Sequence, residues 1–182
     1  DVVASDNQRI GIRTILLVRD EVNTADRLGR FEFVINGEPI FIHGTNWVPM
    51  DGLHSRDKQH IDEAIAMAAD LNCNMIRCWG GNVYEDHKFF DLCDENGIMV
   101  WQDFGMACHY YPQTEGFFKL IEEEAVSVIE KLRNHPSIVL WSGDNEVDSM
   151  LAGSEKVCPD VNRITREILP RIIERLDPYR PY

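Results

Sequence analysis

The chain has 182 residues, 44% apolar and 27% charged, which suits a single soluble globular domain with a sizeable core. A formal net charge of -13 argues against nucleic acid or an anionic membrane surface as partner, because the summed field repels phosphate. No apolar run approaches a membrane span, Asp1 to Asp6 lack the basic and apolar regions of a signal peptide, and the start without Met predicts a processed protein or an excised piece.

Residues 9–18 begin with polar and apolar residues alternating, as a half-buried strand should, and residues 19–30 read as a polar connection. A hairpin follows: Phe31-Glu32-Phe33-Val34-Ile35, a turn at Asn36-Gly37, then Pro39-Ile40-Phe41-Ile42-His43. From about residue 40 the rhythm becomes strand, helix, strand, helix. Residues 40–43 count as the first strand of that series. Residues 57–71 carry Ile61, Ala64, Ile65, Ala68 and Leu71 at helical spacing, with Ser55 or Asp57 available as cap. A strand at 75–79 comes next, then a helix at 85–96 with Phe89, Leu92 and Cys93 inward and Gly97 at its stop.

Residues 98–101 form the third strand. Residues 115–133 form a longer amphipathic helix with Phe117, Ile121, Ala125, Val128 and Leu132 on one stripe. The fourth strand, Ile138-Val139-Leu140-Trp141, is the continuous apolar run of a strand covered on both faces, and it leads into Ser142-Gly143-Asp144-Asn145-Glu146. A last helix over 161–176 buries Ile164, Ile168, Ile172 and Leu176; Pro170 should kink or split it near Leu169.

Four strands alternating with helices imply parallel pairing through right-handed crossovers. Two architectures fit: an open doubly wound sheet, and half of a (β/α)8 barrel. A nucleotide-binding version is weakened because Gly80-Gly81 lacks the spacing of a phosphate loop. The five cysteines, Cys73, Cys78, Cys93, Cys108 and Cys158, show no CxxC or zinc-type spacing and read mainly as reduced, buried small hydrophobes. The six histidines form no metal motif.

An isolated Asn-Glu pair usually does no more than open a solvated loop. Here every strand ends in an unusual cluster: Gly44-Thr45-Asn46-Trp47, Arg77-Cys78-Trp79-Gly80-Gly81, Trp101-Gln102-Asp103-Phe104, and Trp141 through Glu146. Ligands of α/β proteins bind just beyond the carboxyl ends of such strands. Tryptophan beside Arg77, Asp103 and Glu146 makes apolar faces with charged hydrogen-bonding groups, which suits a sugar ring.

These phrases, with the Asn36-Gly37 hairpin and Tyr84-Glu85, resemble glycoside hydrolase family 2 in its β-mannosidase branch, over about residues 31–182. Galactosidase and glucuronidase relatives carry Asn-Arg-His or Asn-Lys-His after the first strand and an Asp-Glu pair at the third. Asn46-Trp47 and Gln102-Asp103 favour the mannosidase branch, with the other two activities as alternatives. The resemblance implies the N-terminal half of a TIM-barrel catalytic domain over 31–182. Residues 1–30 would then be the last strands of an immunoglobulin-like β-sandwich domain, or a linker.

The resemblance also implies a mechanism. Retaining glycosidases use two carboxyl groups about 5 to 5.5 Å apart. Glu146 matches the acid/base, and Asn145 would bind the sugar 2-hydroxyl. Arg77 would lie near the nucleophile and keep it ionised. Trp47, Trp79, Asp103 and Asn46 would shape the terminal sugar subsite, with Asp103 binding hydroxyls. No metal or organic cofactor is implied.

Two features depart from that pattern. Relatives often carry Asn where Asp144 stands, and Asp144 is expected to point away from Glu146. The family nucleophile, a Glu on the seventh strand, would lie beyond Tyr182, since such a barrel needs about 250 residues. This chain alone is therefore expected to be inactive and to associate with itself through open sheet edges. A non-catalytic sugar-binding module is the reading from another class. The resemblance allows a periplasmic, secreted or lysosomal protein.

Overall fold

A computed structural model describes residues 3–19, 24–26, 29–153 and 156–182. Residues 1–2 of the N-terminal segment and residues 20–23 and 27–28 of the expected connection lie outside the described residues.

Three strands form an antiparallel sheet in the order β1 (Ile15–Val18), β2 (Glu32–Ile35) and β3 (Glu38–Ile40). Asn36 and Gly37 both have positive φ, 53° and 86°, which gives the two-residue turn the twist that its flanking strands need. A turn this short also fixes the register, pairing Phe33 with Ile40 and Ile35 with Glu38. Residues 38–40 are therefore committed to the hairpin, and the first parallel strand is β4 (Gly44–Trp47), a few residues later than the expected 40–43.

β4 begins a parallel sheet of four strands in the order β4, β5 (Met75–Cys78), β6 (Met99–Asp103) and β7 (Ile138–Ser142). Spatial order follows chain order, without the reversal that defines a doubly wound sheet. That decides between the two architectures: the strands form the wall of a barrel. The helices α1 (Ile61–Asp70), α2 (His87–Asn96) and α3 (Glu115–Leu132) connect them.

The outer core packs Ile76, Val100, Ile138 and Trp141 of the strands against Ile65, Phe89, Ile121 and Ile129 of the helices. Burying one such side chain contributes about 1.5–3 kcal/mol. A second cluster gathers Phe33, Met75, Val139 and Leu140, with Ile15, Ile35, Met99 and Trp101 packed on it. Met75 and Met99 open their strands, so the antiparallel sheet floors the barrel wall at the strands' amino ends.

Local expectations fail where short-range chemistry goes elsewhere. Neither Ser55 nor Asp57 caps α1: His60 precedes it with no side-chain cap, and Asp57 is buried in a 3-10 turn (His54–Gln59), accepting from Asp51 N at 2.9 Å. The final helix is split as Pro170 demands, into a π turn (Ile164–Ile168) and α5 (Leu169–Leu176). A further helix, α4 (Val147–Gly153), follows Glu146 directly and is too short for periodicity to announce. Cys78 and Cys93 are buried as expected, but Cys108 and Cys158 are exposed.

Candidate active site

Side chains alternate across a strand, so neighbouring residues face opposite ways. Asn46 stands in register with Arg77 on β5, and Arg77 donates through Nη1 to Asn46 Oδ1 at 3.4 Å. Trp47, one residue on, faces the helix layer instead. Its ring packs on Phe89 with centroids 4.8 Å apart, and its Nε1 donates to Glu85 Oε1 at 2.9 Å. This corrects the assignment of Trp47 to the sugar subsite: it is buried between wall and helices. Trp141 is likewise fully buried, stacked on Phe104 and donating to Asp177.

The inward residues of β5 and β6 assemble the polar cluster. Asp103 accepts from Arg77 Nη2 at 2.6 Å and Nε at 3.3 Å, from Gly80 N at 3.0 Å and from Trp101 Nε1 at 2.9 Å. Its side chain has 0% exposure, so the expected role of offering lone pairs to a sugar hydroxyl is not available to it. Burial pushes the Asp103 carboxyl above the ordinary range, against the pull of Arg77, Gly80 and Trp101. Arg77 also lies over the Trp101 ring, 5.6 Å from its centroid. Trp79 is half-buried, its ring folded over Gly81 so closely that a Cβ there would collide with it.

Arg77 extends the cluster to the end of β7, donating through Nη2 to Asn145 Oδ1 at 2.9 Å. Asn145 Nδ2 points to Cys108 Sγ at 3.2 Å, and Cys108 Sγ lies 3.4 Å from Glu146 Oε2. The loops after β6 and β7 are stitched together by Asn145 N donating to Met106 O at 2.9 Å and Cys108 N donating to Asn145 O at 2.8 Å. Gly80 makes the approach of three loops feasible, because a Cβ there would collide with Phe104 O and Met106 O.

Glu146 is exposed, with φ +62°, and Cys108 has φ +50°. A bulky residue in the left-handed region costs about 1–2 kcal/mol and persists where surrounding structure holds it. Two such residues face each other across the loops that follow β6 and β7. Asp144 turns away: Oδ1 accepts from Val147 N at 3.2 Å, capping α4, and Oδ2 accepts from Asn162 Nδ2 at 3.2 Å. Burial pushes the Asp144 carboxyl up, against these two donors.

Arg77, Asn46, Trp101 and Met75 line a cavity of about 900 Å³ that continues to Phe31, Ile40 and Ile42 of the floor. Cys108 was missed by sequence reasoning. Its only sequence signal is its place on the loop after the third parallel strand. Among the described residues no helix is long and apolar enough to cross a membrane.

Comparison with known proteins supports the barrel fold. The chain is 41% identical over 144 residues to the β-mannosidase of Capra hircus, spanning 79% of this chain and 16% of that protein. A crystal structure of a β-D-mannosidase from Dictyoglomus thermophilum superposes with a TM-score of 0.88 at 40% identity, over 96% of this chain and 22% of that one. A β-glucuronidase from Bacteroides uniformis, 22% identical, shares the fold with a TM-score of 0.73 over 94% of this chain and 20% of that one. The chain thus spans less than a quarter of the length of each of these relatives. The model of the glycosyl hydrolase family 2 TIM barrel domain matches residues 27–181, and the chain belongs to that family.

Proposed function

We propose that this chain carries the acid/base half of the active site of a retaining β-mannosidase. The observation that carries the reading is Glu146 itself: an exposed carboxylate in a strained conformation at the end of the fourth parallel strand, next to an Asn145 whose amide is fixed by Arg77. A general acid must reach a leaving-group oxygen at the rim, and a carboxylate there can do so. The β-mannosidase names of relatives about 40% identical favour mannosides over the other sugars of the family.

In this reading Glu146 protonates the departing oxygen, and a glutamate on a later strand forms the covalent glycosyl intermediate. Glu146 then deprotonates the incoming water. Asn145 donates to the 2-hydroxyl, and Trp79 and Asn46 complete the subsite with Arg77. No cofactor is required. The amide of Trp141 donates to Pro181 O at 3.1 Å, which is the rung a fifth parallel strand would continue. At the other margin Gly44, Thr45 and Asn46 of β4 are exposed, where an eighth strand would pair. That exposed β4 edge is also where a second copy of the sheet would pair.

A β-sandwich domain preceding the barrel fits the same reading. The division expected near residue 30 runs through the three-stranded sheet, since β1 precedes it and β2 and β3 follow. Such a domain would meet the barrel at this sheet.

The test is Glu146→Gln in the full-length protein, assayed on an alkyl and on a dinitrophenyl β-mannoside. A loss of about 10²–10⁴-fold in kcat/KM, which reports the step that expels the leaving group, is expected on the alkyl substrate, with a far smaller loss where the leaving group needs no proton. Equal losses on both would remove Glu146 from the acid role.

A further inference from the structure

Asp103 stands in the cluster with nothing left to offer a ligand. Its carboxylate receives four donors, from two nitrogens of Arg77, Gly80 N and Trp101 Nε1, which fill the four lone-pair positions of a carboxylate. It is also sealed from solvent. What it does hold is the direction of the Arg77 guanidinium, gripped through both Nε and Nη2. A planar fork held along one edge has no freedom to swing.

The consequence passes to Asn145. Arg77 is purely a donor, so the atom of Asn145 facing it at 2.9 Å must be the carbonyl oxygen, and the Nδ2 amine is forced to the opposite end. Among the described residues Nδ2 there meets only Cys108 Sγ, at 3.2 Å. Sulfur is a weak acceptor that a hydroxyl would displace readily.

We infer that Asp103 is a positioning residue: its buried carboxylate locks Arg77 so that Arg77 sets the Asn145 amide, leaving Nδ2 to donate to the substrate's 2-hydroxyl. The inference rests on the β-mannosidase reading above. It replaces contact between Asp103 and sugar with an action two residues removed from it.

The experiment compares full-length wild type, Asp103→Asn, Asp103→Glu and Asn145→Ala on an aryl β-mannoside and on the matching 2-deoxy glycoside. For Asp103→Asn, kcat on the mannoside should fall about 10²-fold with KM little changed, because a contact that tightens in the transition state is misaimed. On the 2-deoxy substrate, where that contact cannot form, the loss should shrink to about threefold or less. A merely structural role would lower turnover on both substrates alike, and that result overturns the inference. If Asp103→Asn does not fold, Asp103→Glu makes the same comparison, since its extra methylene displaces the carboxylate while keeping the charge. Asn145→Ala separates the two levels. If its loss depends on the 2-hydroxyl and that of the Asp103 variants does not, the positioning role alone fails. If its own loss is equal on both substrates, the reading of Asn145 fails and the inference with it.

Discussion

Arg77 Nη2 donates to the side-chain carbonyl of Asn145 at 2.9 Å, joining the ends of the second and fourth parallel strands across 68 residues of sequence. The same nitrogen lies 2.6 Å from Asp103 Oδ2 and Nη1 reaches Asn46, so all four parallel strands converge on one guanidinium. The rim of the half barrel is therefore a connected unit, and its members should fail together.

Arg77→Lys tests that unity. A lysine is a compact donor that cannot reproduce the two-point grip on Asp103 while also reaching Asn145. Steady-state kinetics of the full-length protein should show kcat/KM on mannosides reduced about 10²-fold or more. Activity within about threefold of wild type would show that Asn145 does not depend on the fork.

Cys108 links Asn145 to Glu146, and its contribution should be small and specific. Removing one weak hydrogen bond to a carboxylate amounts to about 0.5–1.5 kcal/mol. Cys108→Ala should therefore lower kcat about 2- to 10-fold on a poor leaving group, and Cys108→Ser, which keeps a donor and an acceptor, should restore most of it. A serine variant no better than alanine would place the effect in loop packing.

Asp144→Asn should leave the pH-rate profile where it is, because both Asp144 oxygens are turned to Val147 N and Asn162 rather than to Glu146. A shift by about a unit of the alkaline limb, which the protonation of a general acid sets, would contradict this geometry. Stability is a separate matter. The folded carboxyl is raised by burial, so the native state holds its proton longer than the unfolded chain. That stabilisation is present below about pH 4 and lost as pH rises through the folded value. Thermal melts of Asp144→Asn should show a weaker decline over that window.

Trp47→Phe should reduce stability and spare binding. The phenyl ring keeps the packing on Phe89 but leaves Glu85 without the Nε1 donor. Burial already pushes the Glu85 carboxyl up against that hydrogen bond. Calorimetry should register a loss of about 1–3 kcal/mol, with KM for mannosides unchanged. A large rise in KM would return Trp47 to the subsite.

Asp94 should matter on the acid side. Burial pushes its carboxyl up, but hydrogen bonds from His135 at 2.7 Å and Ser137 N at 2.8 Å prevail and hold it below the ordinary value. A lowered folded value means stability that is present above about pH 4 and lost as pH falls through it. Asp94→Asn should lower Tm at neutral pH and flatten the acid-side decline. A melt curve parallel to wild type from pH 6 to pH 2 would refute the linkage.

Much of this molecule is legible from residue order. The Asn36-Gly37 turn, the apolar run into Glu146, the helical stripe of α3 and the break at Pro170 all depend on interactions within a few residues of each other, and all stand where local chemistry placed them. The clustering of Arg77, Asp103, Asn145 and Glu146 at strand ends follows too, because parallel strands in sequential order bring their carboxyl ends to one rim. The alternation of a strand also separates Asn46, which faces Arg77, from Trp47, which faces the helices.

What residue order does not contain is which partner each side chain finds. Register and loop packing decide that Trp47 meets Phe89 and Glu85, that Asp103 spends every lone pair on Arg77, Gly80 and Trp101, and that Cys108 comes to lie between Asn145 and Glu146. Apart from the two-residue step between Trp101 and Asp103, those contacts join residues 23 or more positions apart, through crossover helices whose path no local preference specifies. Sequence alone determined the alternation of strands and helices, the family resemblance and the place of Asn145-Glu146 just past the fourth parallel strand. Tertiary structure decided which polar groups stay exposed at the rim, as Glu146 does, and which are taken up by one another, as Asp103 is by Arg77, Gly80 and Trp101.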